Sequence, residues 1–121
     1  MNYLFVSLGA ALGGAARYWF GDFVHKSLPS FFPFGTLFIN IIGSFLLGVF
    51  IFYFDERELL SQPLKLFLTI GFCGGFTTFS TFSFESIKLF LDSEFLLASV
   101  YIFASVFLSI LGVYLAYILS R

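Results

Sequence analysis

Gly71-Phe72-Cys73-Gly74-Gly75-Phe76-Thr77-Thr78-Phe79-Ser80-Thr81-Phe82-Ser83-Phe84-Glu85 is the most informative stretch of this chain. Two adjacent glycines are followed by five hydroxyls in seven positions, Thr77, Thr78, Ser80, Thr81 and Ser83. The stretch lies in an apolar run free of charge from Leu66 to Phe84. Lipid offers backbone groups no partner, so groups freed by a helix break there must be buried in protein or line a wet cavity. One Ser or Thr would bond back to its own helix. Five beside a Gly-Gly pair point to a polar pathway through a broken helix, whose carbonyls can hold a cation and whose amides can meet an anion.

The surrounding sequence is that of an all-α integral membrane protein. Hydrophobic residues make up 60% of the chain and charged ones 11%, less than half of what a soluble domain uses to cover its core, roughly a quarter. Four apolar stretches are present, each near the ~20 residues that cross a bilayer. They predict spans at residues 3–22, 33–54, 64–91 and 95–119 of a single domain covering 1–121, the third span broken midway. Pro29 and Pro33 precede the second span and Pro63 opens the third, where proline suits a helix start. The first stretch lacks a basic leader and a clear cleavage site, so it is expected to be a retained helix. A multi-pass position in the cell membrane follows, with lipid as the surrounding partner; no nucleic-acid partner is expected.

Charge leaves the orientation open. Arg57, Lys65 and Arg121 fall on one side of a four-span chain, and Lys26, Lys88 and Arg17 toward the other. Excess Lys and Arg normally selects the cytoplasmic side; an even count favours insertion both ways and an antiparallel, dual-topology homodimer. Small residues recur at packing distance in Gly9/Gly13, Ala10/Gly14, Ser44/Gly48 and Gly71/Gly75. Such pairs allow backbones to approach in lipid, within one subunit or between two.

Helical spacing sorts the polar residues. Phe79 and Phe82 share one face, and Thr78, Thr81 and Glu85 share another. Aromatic ring edges are electropositive, so two of them with hydroxyl donors can coordinate a small anion without the over-tight grip of a fixed cation. Asn40 lies within the second span, serving either an interhelical hydrogen bond or a pore. Tyr101, Ser105 and Ser109 form a polar stripe along the fourth span. Arg17 is placed either to reach headgroups or to make the mouth of an anion path positive. With one histidine, His25, and one cysteine, Cys73, neither a His/Cys metal cluster nor a Cys-His pair can form, and no enzyme is expected. Two other classes compete with a channel. A small proton-coupled multidrug exporter needs an embedded carboxylate, yet the first span offers arginine and Glu85 sits near a span end. An accessory subunit leaves the hydroxyl run unexplained.

Three blocks resemble the Fluc (CrcB-type) fluoride channel family: Gly74-Gly75-Phe76-Thr77-Thr78-Phe79-Ser80-Thr81-Phe82-Ser83, Gly13-Gly14-Ala15-Ala16-Arg17-Tyr18, and Gly35-Thr36-Leu37-Phe38-Ile39-Asn40-Ile41-Ile42-Gly43-Ser44-Phe45. The resemblance implies a passive, fluoride-selective channel that exports fluoride and protects against its toxicity, with two pores in an antiparallel dimer. It also implies a structural Na+ at the dimer centre, held by the backbone carbonyls of Gly74 and Thr77. The fluoride pathway would then comprise Asn40, Phe79, Phe82, Ser80, Thr81, Tyr101, Ser105 and Ser109, with Arg17 and Glu85 in a vestibule.

Overall fold

A computed structural model describes residues 1–121. The regular structure is all helix: α1 (Asn2–Ser27), α2 (Phe34–Asp55), α3 (62–76), α4 (Phe79–Leu91) and α5 (Phe95–Leu119), with no strand. Leu28 stops α1 in an extended conformation, and the two prolines that follow cannot continue it. The side chain of Ser61 caps α3 by accepting the Leu64 N–H at 3.3 Å, with Pro63 in the first turn. The turns after α2 and α4 each place a non-glycine residue at positive φ, Glu58 at 56° and Ser93 at 61°, the left-handed step that commonly ends a helix.

Three helical segments are long and apolar enough to cross a membrane: Phe34–Asp55, Gln62–Leu91 (α3 and α4 together) and Phe95–Leu119. Helix α1, at 26 residues, is long enough but less apolar. Glycine, alanine and Arg17 take positions that leucine would otherwise fill. Those glycines are explained by packing. Helix α1 runs parallel to α3 with the backbones in contact: a Cβ on Gly9 would collide with the Phe67 carbonyl oxygen, and one on Gly13 with that of Phe72. In return, a Cβ on Gly75 would come within 2.6 Å of the Ala10 carbonyl oxygen, and one on Gly71 within 2.9 Å of that of Val6. The Gly9/Gly13 and Gly71/Gly75 pairs therefore interlock within one subunit.

Helix α2 packs parallel to α5 in a second close pair, with Gly48 against Val113 and Ala116, and Gly112 against Ile41. Charged side chains gather at the ends. Lys65 pairs with Asp55 at 3.0 Å, Arg121 with Glu56 at 3.3 Å, and Arg57 donates to the Ser120 carbonyl at 2.6 Å. The sequence's assignment of Arg57, Lys65 and Arg121 to a common end is thus met. Helix α2 finishes in a π-helical segment, Val49–Asp55, and α3 contains another, Phe67–Cys73, just before the chain breaks. Wider helical turns of this kind are frequent near functional sites.

Candidate functional site

The break falls at Thr77 and Thr78, both extended, with φ, ψ of −83°, 161° and −152°, 122°. It does not fall at the Gly74-Gly75 pair, which the sequence had suggested as the break. Gly74 and Gly75 remain helical, and Gly75 serves the contact with α1. The interruption has a long-range cause. Asn40 of α2 accepts the Thr78 N–H through Oδ1 at 2.8 Å and donates through Nδ2 to the Thr78 carbonyl at 3.0 Å. The Thr78 hydroxyl then caps α4 by accepting the Thr81 N–H at 3.2 Å.

These bonds identify which carbonyls are set free. In an unbroken helix the Thr78 N–H would serve Gly74 and the Thr81 N–H would serve Thr77; here they go to Asn40 and to the Thr78 hydroxyl. Gly74 and Thr77 are thus deprived of their helical donors, and both line the same groove. Oxygen donors of this kind suit a hard cation, and these two residues could hold one. The Thr77 hydroxyl is not part of that set, since it donates back to the Cys73 carbonyl at 2.8 Å.

Two depressions flank the break. The larger, an open groove of about 540 Å³, is lined by Asn40, Gly74, Thr77, Phe79, Phe82, Ser105 and Ser109 among others. Phe79 is 76% exposed there, whereas Phe82 is buried, with ring centroids 5.6 Å apart. The Ser105 hydroxyl is buried without a partner, an open hydrogen-bonding position beside an apolar groove. The smaller depression, about 330 Å³, holds Arg17, Asp22, His25, Thr36, Thr81 and Glu85. Arg17 pairs with no carboxylate; its Nε donates to the Gly75 carbonyl at 3.1 Å, beside the break. Asp22 is held by Lys26 at 3.0 Å.

Of the residues singled out from sequence, Asn40, Phe79, Phe82, Ser105 and Ser109 share the groove, and Arg17, Thr81 and Glu85 share the smaller depression. Tyr101 lines neither. It is fully buried against Phe82 and donates its phenol proton to Glu85 Oε1 at 2.8 Å. Ser80 also lies outside both, its hydroxyl 3.4 Å from that of Thr78. Sequence reading missed Thr36 and Thr78 as site residues. Thr78 was detectable in the hydroxyl run on the Thr81/Glu85 face; for Thr36 the only signal was a lone threonine at a helix start.

Helices long and apolar enough to cross a membrane, with polar groups gathered at a break in one of them, define a multi-pass membrane protein. The chain belongs to the CrcB family: the family model described as CrcB-like protein, Camphor Resistance (CrcB), matches residues 4–117. It is similar to the fluoride-specific ion channel FluC of Oceanobacillus iheyensis, 46% identical over 97% of this chain and 87% of that protein. The FluC of Geobacter sulfurreducens is 44% identical over 98% and 95%, and that of Methylocella silvestris 41% over 99% and 93%. The family resemblance read from the three sequence blocks is thereby established, as is a position in the cell membrane.

Proposed function

We propose that this chain is a fluoride-selective channel that lets fluoride leave the cell passively and so protects against its toxicity. The observation that carries this reading is the break itself. Asn40 takes up both backbone groups of Thr78, leaving the Gly74 and Thr77 carbonyls and the Phe79 ring on one groove. The ring edges of Phe79 and Phe82 supply weak positive potential, and hydroxyls supply donors, a combination that binds a small anion while letting it go. Asn40, Phe79, Phe82, Ser80, Thr81, Tyr101, Ser105 and Ser109 form the fluoride pathway. Tyr101 contributes through Glu85 and Phe82. Arg17 and Glu85 form the vestibule.

In this reading all four helical segments span the bilayer, α1 included, and two copies associate antiparallel with two pores. The open groove supports such an assembly, because carbonyls that have lost their helical donors on an open face need a covering partner in lipid. A structural Na+ bound by the Gly74 and Thr77 carbonyls would neutralise the oxygens that the break frees. Efflux from liposomes tests the function: fluoride should leave and chloride should stay. Equal passage of both ions, or of neither, would overturn it.

A further inference from the structure

We propose that Thr78 is itself a pathway residue: its hydroxyl is the donor that passes the anion between the vestibule and the groove. The proposal deepens the fluoride-channel reading and rests on it. Thr78 is the single residue that lines both depressions, so a route from one to the other runs past it. Its hydroxyl is polarised for donation. A hydroxyl has one proton and two acceptor lone pairs, and one acceptor site is taken by the Thr81 N–H at 3.2 Å. The proton is engaged at most weakly: Ser80 Oγ, with which the hydroxyl pairs, stands at 3.4 Å, longer than the usual O–H···O range, so a closer acceptor can take it.

The position is also held firmly. Asn40 grips the Thr78 backbone by both its N–H and its carbonyl, so the hydroxyl cannot swing away with a flexible loop. Beyond it on the groove side lies the buried, unpartnered hydroxyl of Ser105. On the vestibule side lies Thr81. Thr78 therefore stands between two other hydroxyl positions rather than at a dead end.

A helix cap and an anion donor can be separated by substitution. Aspartate caps a helix at least as well as threonine and suits the positive N-terminal end, but it offers no donor and repels an anion. Thr78→Asp should therefore elute and unfold like the parent chain, while fluoride efflux from liposomes falls by at least about tenfold, the effect of one nearby like charge in a wet pore. Thr78→Ser, which keeps cap and proton, should stay within about threefold of the parent, well short of the tenfold loss that marks a raised barrier. Folded Thr78→Asp conducting at the parent rate would overturn the proposal and leave Thr78 a cap alone. If Thr78→Asp does not elute with the parent, the comparison passes to Thr78→Val and Thr78→Asn. Slow flux in the valine variant, which has no donor, with retained flux in the asparagine variant supports the donor role; equal flux in both overturns it. The parent chain distinguishes this outcome from failure of the channel reading. A parent without fluoride selectivity over chloride removes both, whereas a selective parent beside a conducting Thr78→Asp removes only the assignment of Thr78.

Discussion

Asn40 and Thr78, 38 residues apart, form a two-point hydrogen bond in which one side-chain amide engages both the N–H and the carbonyl of a single residue. The amide on α2 thus takes the place of helical partners in the third segment. That substitution lets the chain remain extended for two residues in an apolar setting. It also links the break to the helix pair formed by α2 and α5.

Removing that amide should therefore damage the break more than an ordinary interhelical bond. Asn40→Ala leaves a partly buried N–H and carbonyl unsatisfied, each costing about 1–3 kcal/mol. The expected outcome is a lower unfolding temperature in detergent and at least about tenfold slower fluoride efflux, a barrier rise of ~1.4 kcal/mol. Asn40→Asp keeps an acceptor for the Thr78 N–H but faces the Thr78 carbonyl with a second oxygen, so its flux should fall as well.

The neighbouring glycines Gly13 and Gly14 should respond in opposite ways. A methyl on Gly13 meets the backbone of Phe72, while one on Gly14 meets nothing within 4 Å. Gly13→Ala is expected to abolish the folded chain, because α1 and α3 cannot separate without losing their whole contact. Gly14→Ala should be neutral or gain up to about 1 kcal/mol of helix stability, unless a second copy covers it. Circular dichroism melts of the two variants check this.

Gly74→Val separates fold from assembly. A Cβ at Gly74 comes no nearer than 4.0 Å to the Thr69 carbonyl within the subunit, so one chain should fold normally. If two copies meet at this groove, the added bulk should yield a monomer on gel filtration. Thr77→Ser, by contrast, should preserve cation binding, because the Thr77 side chain bonds to Cys73 and not to the groove.

The two pathway phenylalanines should also differ. Phe79→Ile and Phe82→Ile remove the electropositive ring edge while roughly preserving bulk, so fluoride flux should fall in both. Phe82 is buried against Tyr101 with centroids 5.2 Å apart, and its loss should cost an additional ~0.5–1.5 kcal/mol of aromatic pairing. Phe79 is largely exposed in the subunit, so its replacement should leave stability within about 0.5 kcal/mol. Thermal melts beside liposome flux distinguish the two.

Orientation is tested by fusing reporters to the C-terminus. With Arg57, Lys65 and Arg121 bonded at one end and Lys26, Lys88 and Arg17 toward the other, both orientations should be found. Two added lysines near Arg57 should place that end in the cytoplasm. A single orientation in the parent would exclude an antiparallel homodimer.

Some of this was determined by sequence alone, because it depends on local or compositional properties. The shortage of charge excludes a water-facing surface, and prolines mark helix starts at Phe34 and near Pro63. The hydroxyl run from Thr77 to Ser83 marks the site, and the Phe79/Phe82 face follows from helical spacing. The resemblance carried by residues 74–83 identified the family correctly. Other features required the folded chain, because they arise from partners far apart in sequence. Glycine patterns look alike whether they bend a helix or let another approach it; only the position of Ala10 against Gly75 shows that Gly75 serves packing. The helix breaks at Thr77 and Thr78 because Asn40 reaches across from α2 to take the Thr78 backbone. A long-range hydrogen bond of this kind leaves no periodic trace in the sequence, and together with the Thr78 cap on Thr81 it decides which carbonyls the site has available.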